Sequence, residues 1–295
     1  MGLAGAAVRA AAGALTGAAL AALGFVLWSA LLLPFPPCGL LAGPCDLALG
    51  RYSAELPVGV ARPIPAVLYL HGSKGAGSSF IADKALIATA KRRGFAVLAP
   101  DGLDMSYSSG VFSGWGLANS PGPGRDELAF LTEVLADAEK RLGIDPGRVL
   151  LLGHSRGGFL VWELACRAPD LAAGFAAVSA TFWGAPPREC QAGKVALLHL
   201  HGLGDQAVPI EGRIATDGTM LMAPAEASLA LFRQTGGCAG AEEVTRALPQ
   251  GGTWRGWPGC GAGLALAQAR LPGGHGFNRR RFALALDWFT ELISD

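Results

Sequence analysis

The chain has 295 residues, 51% of them hydrophobic and 16% charged, with a formal net charge of +1. That apolar fraction supports one sizeable core and excludes a disordered chain. The balanced charge gives no sign of a nucleic-acid or polyanionic partner, and the two basic runs, Lys91-Arg92-Arg93 and Arg279-Arg280-Arg281, sit in helical patterns that read as solvated faces.

At the N-terminus Arg9 is the only charge before Asp46, and residues 10–33 form an unbroken stretch of apolar and small residues. Crossing a bilayer takes about 20 such residues. The stretch is longer than the h-region of a signal peptide, roughly 7–15 residues, and shows no clean small-x-small cleavage site. Trp28 suits the membrane interface. Residues 1–34 therefore read as an apolar helix serving as a signal anchor, with a cleaved signal peptide or a buried soluble helix as alternatives. Under the first two readings residues 35–295 form an exported domain, anchored or secreted. Arg9 ahead of the segment favours that domain lying outside the cytoplasm.

The six cysteines, Cys38, Cys45, Cys166, Cys190, Cys238 and Cys260, are even in number and lack metal-ligand spacing. Adjacent pairing gives 38–45, 166–190 and 238–260, which an oxidising compartment permits. Other pairings, and six reduced thiols, stay open.

Pro34-Phe35-Pro36-Pro37 ends the apolar stretch. Beyond it, strand and helix patterns alternate. Apolar runs at 66–70, 95–99, 148–152, 175–179, 195–200 and 264–269 read as buried strands, and 80–93, 127–142, 221–234 and 282–293 as helices, with one more starting at Arg156. Asp126 is the expected N-cap of the second helix. The alternation predicts a mostly parallel sheet with helices on both faces and a site outside the carboxyl ends of its strands.

The chemistry gathers at such ends. Gly153-His154-Ser155-Arg156-Gly157 is G-x-S-x-G, followed by Gly158, between a strand and a helix. In the α/β-hydrolase fold this turn lifts a nucleophilic serine above the sheet, and its glycines make room for the tight bend. Ser155 is the candidate nucleophile. Among the five histidines, His275 lies in Gly273-Gly274-His275-Gly276 after the last strand, where that fold carries its base. His154 is expected to point away, His199 to be a satisfied core histidine, and His71 and His201 each to open a His-Gly pair at a strand end. Chain order then asks for an acid between serine and histidine. Asp205 follows a strand directly and is preferred to Asp217 and Asp287.

His71-Gly72-Ser73-Lys74-Gly75 is expected to supply an oxyanion donor, the backbone amide of Ser73 or Lys74, acting with that of Arg156. A phosphate-loop reading of Lys74 fails for want of the full motif. Trp115 either walls an acyl or alcohol pocket or packs in the core. The scheme needs neither metal nor organic cofactor.

With these motifs in place, residues 56–289 resemble the secreted polyhydroxybutyrate depolymerase and feruloyl esterase family of α/β hydrolases. The resemblance rests on Leu70-His71-Gly72, Ala99-Pro100-Asp101-Gly102, Asp126-Glu127-Leu128-Ala129-Phe130, Ile144-Asp145-Pro146-Gly147-Arg148-Val149, the elbow, His201-Gly202-Leu203-Gly204-Asp205 and Gly273-Gly274-His275. It implies an exported serine esterase acting on polyhydroxyalkanoate, feruloyl or acetyl esters, and a disulfide between Cys238 and Cys260. The chain departs from the family where Gly276-Phe277-Asn278 replaces Trp-Pro after the histidine, and where Arg156 replaces a small residue. An oligopeptidase-like hydrolase shares the elbow and the residue order, and a silent, membrane-anchored binding module is the reading from another class.

Overall fold

The computed structural model describes residues 38, 43–107, 110–120, 124–191, 195–238, 240–249, 251–258, 260 and 265–294. The apolar stretch at 10–33 and the boundary at residue 34 lie outside them. No helix among the described residues is long and apolar enough to cross a membrane.

In chain order the elements are β1 (Cys45–Asp46), β2 (Arg51–Glu55), β3 (Ile64–Leu70), α1 (Gly77–Ala82), α2 (Lys84–Lys91), β4 (Ala96–Pro100), β5 (Leu103–Tyr107) and β6 (Gly110–Gly114). There follow α3 (Glu127–Leu142), β7 (Ile144–His154), α4 (Arg156–Arg167), β8 (Gly174–Val178), β9 (Ala196–Gly202), β10 (Arg213–Ile214) and β11 (Met220–Met222). The last are α5 (Ala225–Thr235), β12 (Val244–Ala247), β13 (Thr253–Trp257), β14 (Ala265–Leu271) and α6 (Arg279–Ser294).

The main sheet runs β1-β2-β4-β3-β7-β8-β9-β14-β13-β12. From β4 to β14 every neighbouring pair is parallel, and antiparallel strands close both edges. Strand residues alternate between two cores. Leu68 and Leu70 of β3 and Leu151 of β7 pack under α3, α4 and α5, while Val67, Tyr69, Leu150 and Leu152 pack under α1, α2 and α6. Covering both faces explains why these strands read as unbroken apolar runs. Each fully buried leucine contributes about 1.5–3 kcal/mol.

Local chemistry sets the element ends. The Asp126 carboxylate accepts from the amides of Leu128 and Ala129 at 3.0 and 3.2 Å, as its N-cap pattern predicts. The helix expected over 80–93 is instead two helices, because Asp83 leaves helical geometry and its carboxylate caps Ala85 and Leu86. The helix expected from 221 starts at Ala225. Pro224 occupies its N-cap, and the preceding residues pair as β11 with β10. The edge strands β1, β2, β12 and β13 and the hairpin β5–β6 carry no long apolar run, which hid them from the pattern.

The disulfides join adjacent cysteines: Cys38–Cys45, Cys166–Cys190, and Cys238–Cys260 as the resemblance implies. Cys166–Cys190, at a separation of 24 residues, ties the end of α4 to the segment leaving β8, a closure that stabilises by about 3 kcal/mol. Cys38, Cys45 and Asp137 lie close enough to share a metal ion, but both sulfurs are spent in the bond between them.

Candidate active site

Ser155 sits between β7 and α4 at φ 52°, ψ −118°, a strained conformation for a residue with a side chain. Close packing enforces it. A Cβ on Gly153 would collide with the carbonyl of Gly157, and one on Gly157 would come within 2.6 Å of the carbonyl carbon of Leu70. One on Gly158 would come within 2.6 Å of Ala180 Cβ. The serine amide donates to Val178 O at 3.0 Å and its carbonyl accepts from Phe159 N at 2.9 Å, so strand and helix grip the turn from both sides.

The hydroxyl meets His275 Nε2 at 2.9 Å, and His275 Nδ1 meets the two Asp205 carboxylate oxygens at 2.9 and 3.0 Å. The Asp205 side chain is fully buried, whereas that of His275 is 29% exposed. Burial opposes the charge on Asp205, but hydrogen bonds from the Val208 amide, from His275 and from Ser179 outweigh it and hold the carboxyl below its usual range. Asp205 is therefore a carboxylate at neutral pH. Both other candidate acids are engaged elsewhere: Asp217 caps an exposed turn at Thr219, and Asp287 pairs with Arg93.

The three residues arrive from the ends of β7, β9 and β14, and backbone bonds tie the last two loops together. Leu203 N donates to Leu271 O and Gly204 N to Gly273 O, each at 2.9 Å. Below them, Gln268 Nε2 donates to His199 Nδ1 at 3.0 Å, His199 Nε2 to His201 Nδ1 at 2.9 Å, and His201 Nε2 to Val208 O at 2.8 Å. Each bond leaves one ring nitrogen as donor and the other as acceptor, so both histidines are neutral. Burial pushes both in that direction. His199 is thus a satisfied core histidine, and His201 anchors the turn that offers Val208 N to Asp205.

Two expectations about basic side chains are corrected. His154 does not point away from the site. Its Nε2 donates to the carbonyl oxygen of His275 at 2.7 Å, and burial lowers its pKa to about 4, which keeps it neutral. Arg281 does not lie on a solvated face, being only 3% exposed. Its guanidinium donates to the carbonyls of Gly274, at 2.8 Å, and Gly276, and to Ser179 Oγ at 3.0 Å. It therefore holds the peptide groups flanking His275 and the serine that bonds Asp205. Phe277 anchors the same loop, tilted against Tyr69 and His154.

On the other side of the serine, a Cβ on Gly72 would lie 3.3 Å from Ser155 Cβ, so the loop after β3 runs directly beside the hydroxyl. Of the two amides expected to donate there, that of Lys74 is engaged with Ser113 O at 2.9 Å. Ser73 N makes no hydrogen bond among the described residues. Lys74 itself turns away, its ammonium 4.0 Å above the Phe112 ring. Arg156 is the first residue of α4, and the first amides of a helix have no intrahelical acceptor. Its buried guanidinium donates to Trp115 O and Ser120 Oγ at 2.7 and 3.1 Å.

Trp115 is fully buried and walls no open pocket. Its indole N–H donates to His71 O at 2.8 Å and so fixes the loop. His71 fixes it further, donating from Nδ1 to Gly72 O at 2.8 Å and accepting Gly102 N at Nε2, 2.9 Å. Burial lowers the His71 pKa, in keeping with that accepting nitrogen. In the sequence His71 opens the expected oxyanion loop, and its glycine neighbours are the signal that it stands in a close-packed turn.

A serine hydroxyl bonded to an imidazole whose other nitrogen meets a buried carboxylate can lose its proton as it attacks a carbonyl carbon. Backbone amides on either side suit the oxyanion that results.

The strand order, the elbow and the three loops define an α/β-hydrolase fold. Comparison agrees: a model of the alpha/beta hydrolase fold matches residues 65–199. The acetyl xylan esterase from Aspergillus awamori superposes with a TM-score of 0.59 at 16% identity, over 81% of this chain and 93% of that one. The Bacillus cereus carboxylesterase does so with a TM-score of 0.55 at 15% identity, over 83% and 95%. Feruloyl esterase C of Emericella nidulans is 30% identical over 135 residues, 45% of this chain and 44% of the relative. The chain spans less than half the length of the curated relatives it matches.

Proposed function

We propose that the protein is a serine esterase that hydrolyses carboxylic esters through an acyl-enzyme. Ser155 Oγ forms a bond to the ester carbonyl carbon while His275 takes its proton. The tetrahedral oxyanion rests on the amides of Arg156 and Ser73. The carbonyl–alkoxy bond then breaks, and the alcohol leaves with the proton from His275. Water, deprotonated by the same imidazole, attacks the acyl carbon, and the acid departs as Ser155 regains its hydrogen. Asp205 holds the imidazole tautomer and balances its charge when protonated.

The observation that carries this reading is the unbroken hydrogen-bonded chain from Ser155 through His275 to a buried, ionised Asp205. Similarity to esterases supports the choice of ester over peptide. Among ester substrates, the similarity to feruloyl esterase C favours a feruloyl or comparable flat acyl group over acetyl. Three disulfides favour a location outside the reducing cytosol, whether the domain is anchored by its N-terminal segment or secreted.

The test is hydrolysis of p-nitrophenyl acetate, butyrate and palmitate and of a feruloyl ester, by the wild-type chain and its Ser155→Ala variant. Loss of the nucleophile should reduce kcat by roughly 10⁶-fold. A well-folded wild-type chain inactive on every ester would overturn the esterase reading. A panel in which acetate outruns the feruloyl ester would overturn the feruloyl preference alone.

A further inference from the structure

The two basic runs, separated by almost two hundred positions in the sequence, meet in space. The C-terminal end of α2 and the first half of α6 pack side by side, and with β12 they enclose a cleft of about 700 Å³. Arg92, Arg93, Arg246, Arg279 and Arg280 line it, against the single carboxylate of Asp287. A chain whose formal net charge is only +1 thus concentrates five positive charges and one negative in one concavity.

Ion pairs among the described residues do not account for Arg92, Arg246 or Arg279. Asp287 is engaged by Arg93 at 2.7 Å, Arg246 stacks over the Trp254 ring at 5.0 Å, and Arg92 and Arg279 make no ion pair among the described residues. The α6 terminus adds to the excess. Its first turn carries Arg279, Arg280 and Arg281 and no acidic residue, although the positive end of the helix dipole disfavours cations there. Arg281 is explained by its bonds to the His275 loop; Arg280 lines the cleft while its Nη2 donates to Gly251 O at 3.0 Å, and Arg279 lines it as well. A concave surface of one sign focuses its field and concentrates counter-ions. The floor differs from the rim: Leu248 and Leu271 are buried there and Leu284 half-buried.

We propose that this cleft is a binding site for a phosphate-bearing ligand, with guanidinium groups on the phosphate oxygens and the leucine floor against an apolar body. Arginine forks match phosphate geometry, and the volume lies within the ligand-pocket range of about 300–1,000 Å³. Leu271 and Asn278, on either side of the His275 loop in sequence, line the site, which does not depend on the esterase reading. Its ligand chemistry has two sources, a soluble phosphate compound and the headgroup of an anionic lipid.

The test is titration of the full chain with pyrophosphate by calorimetry, and with vesicles of equal parts phosphatidylcholine and phosphatidylglycerol by co-sedimentation. Vesicles of phosphatidylcholine alone serve as the reference. Saturable binding is expected that weakens with added salt and falls about a hundredfold in R246A/R279A, roughly tenfold for each charge-assisted bond removed. Binding by Ser155→Ala should equal wild type, so a failure of the esterase reading leaves this result standing. Pyrophosphate binding identifies a soluble ligand, and a response to phosphatidylglycerol alone identifies a headgroup. No saturable binding to either probe, equal binding to neutral vesicles, or an unchanged affinity in the double variant would overturn the proposal.

Discussion

The serine turn and the histidine loop meet across a 2.9 Å hydrogen bond yet are held in opposite ways. The turn is self-contained. Within Gly153–Gly158 three glycines leave room for one strained residue, and any added Cβ strikes backbone or a packed methyl group. The histidine loop has glycines too, but space does not demand all of them: a Cβ on Gly276 would meet nothing within 4 Å. That loop is placed from outside, by His154, Arg281, Gly204 N and the packing of Phe277. A nucleophile can be set by steric exclusion within its own turn. A base that must point at both a serine and an aspartate takes its orientation from the surrounding structure.

This contrast can be broken most sharply at the turn. Gly157→Ala places a methyl group against the Leu70 and His71 carbonyls and should cost about 3 kcal/mol, or roughly 6–12 °C in Tm by circular dichroism. Gly276→Ala, made in the other loop, should stay within about 0.5 kcal/mol of wild type. Equal losses from the two changes would erase the distinction.

Arg281→Met comes next. It frees two carbonyls and Ser179, and the resulting misplacement of His275 should lower kcat about a hundredfold with KM little changed. Arg281→Lys should recover part of that loss, because a cation again reaches one carbonyl. A matching fall in kcat/KM through KM alone would assign Arg281 to substrate binding.

The smallest change in rate is expected from His154→Gln, about tenfold in kcat for one weakened hydrogen bond. The same variant sharpens the comparison through pH. The His154 pKa falls from 6.5 to about 4 on folding, so the unfolded chain binds the proton more readily. Stability linked to His154 is therefore complete above pH 6.5 and declines as the pH drops toward 4, by at most about 3 kcal/mol. Thermal unfolding of His154→Gln should show a shallower loss across that window than wild type. Parallel curves would show that His154 is not held neutral.

Much of this was legible one segment at a time. The apolar runs marked the parallel strands, because a strand covered on both faces admits no polar alternation. Gly153-His154-Ser155-Arg156-Gly157 marked the turn, because its steric requirement is satisfied within six residues. Asp126 marked its helix by its own cap. Asp83 split a helix for the same local reason, yet its effect was missed because the apolar pattern continued through it.

Other features have no local signature. His154 reaches a carbonyl 121 positions away, and Trp115 is withdrawn from any pocket to bond His71 O. Nothing in Arg279-Arg280-Arg281 distinguishes the one that is buried from the two that face the cleft. From the residues themselves the chain determined the strand-and-helix order, the strained serine and the candidate acid and base, because exclusion, capping and apolar burial act between near neighbours. Only the tertiary structure decided the cysteine partners, the orientation of His275 and the meeting of the two arginine runs. Those depend on which distant backbone groups and charges the folded sheet brings within a few ångströms.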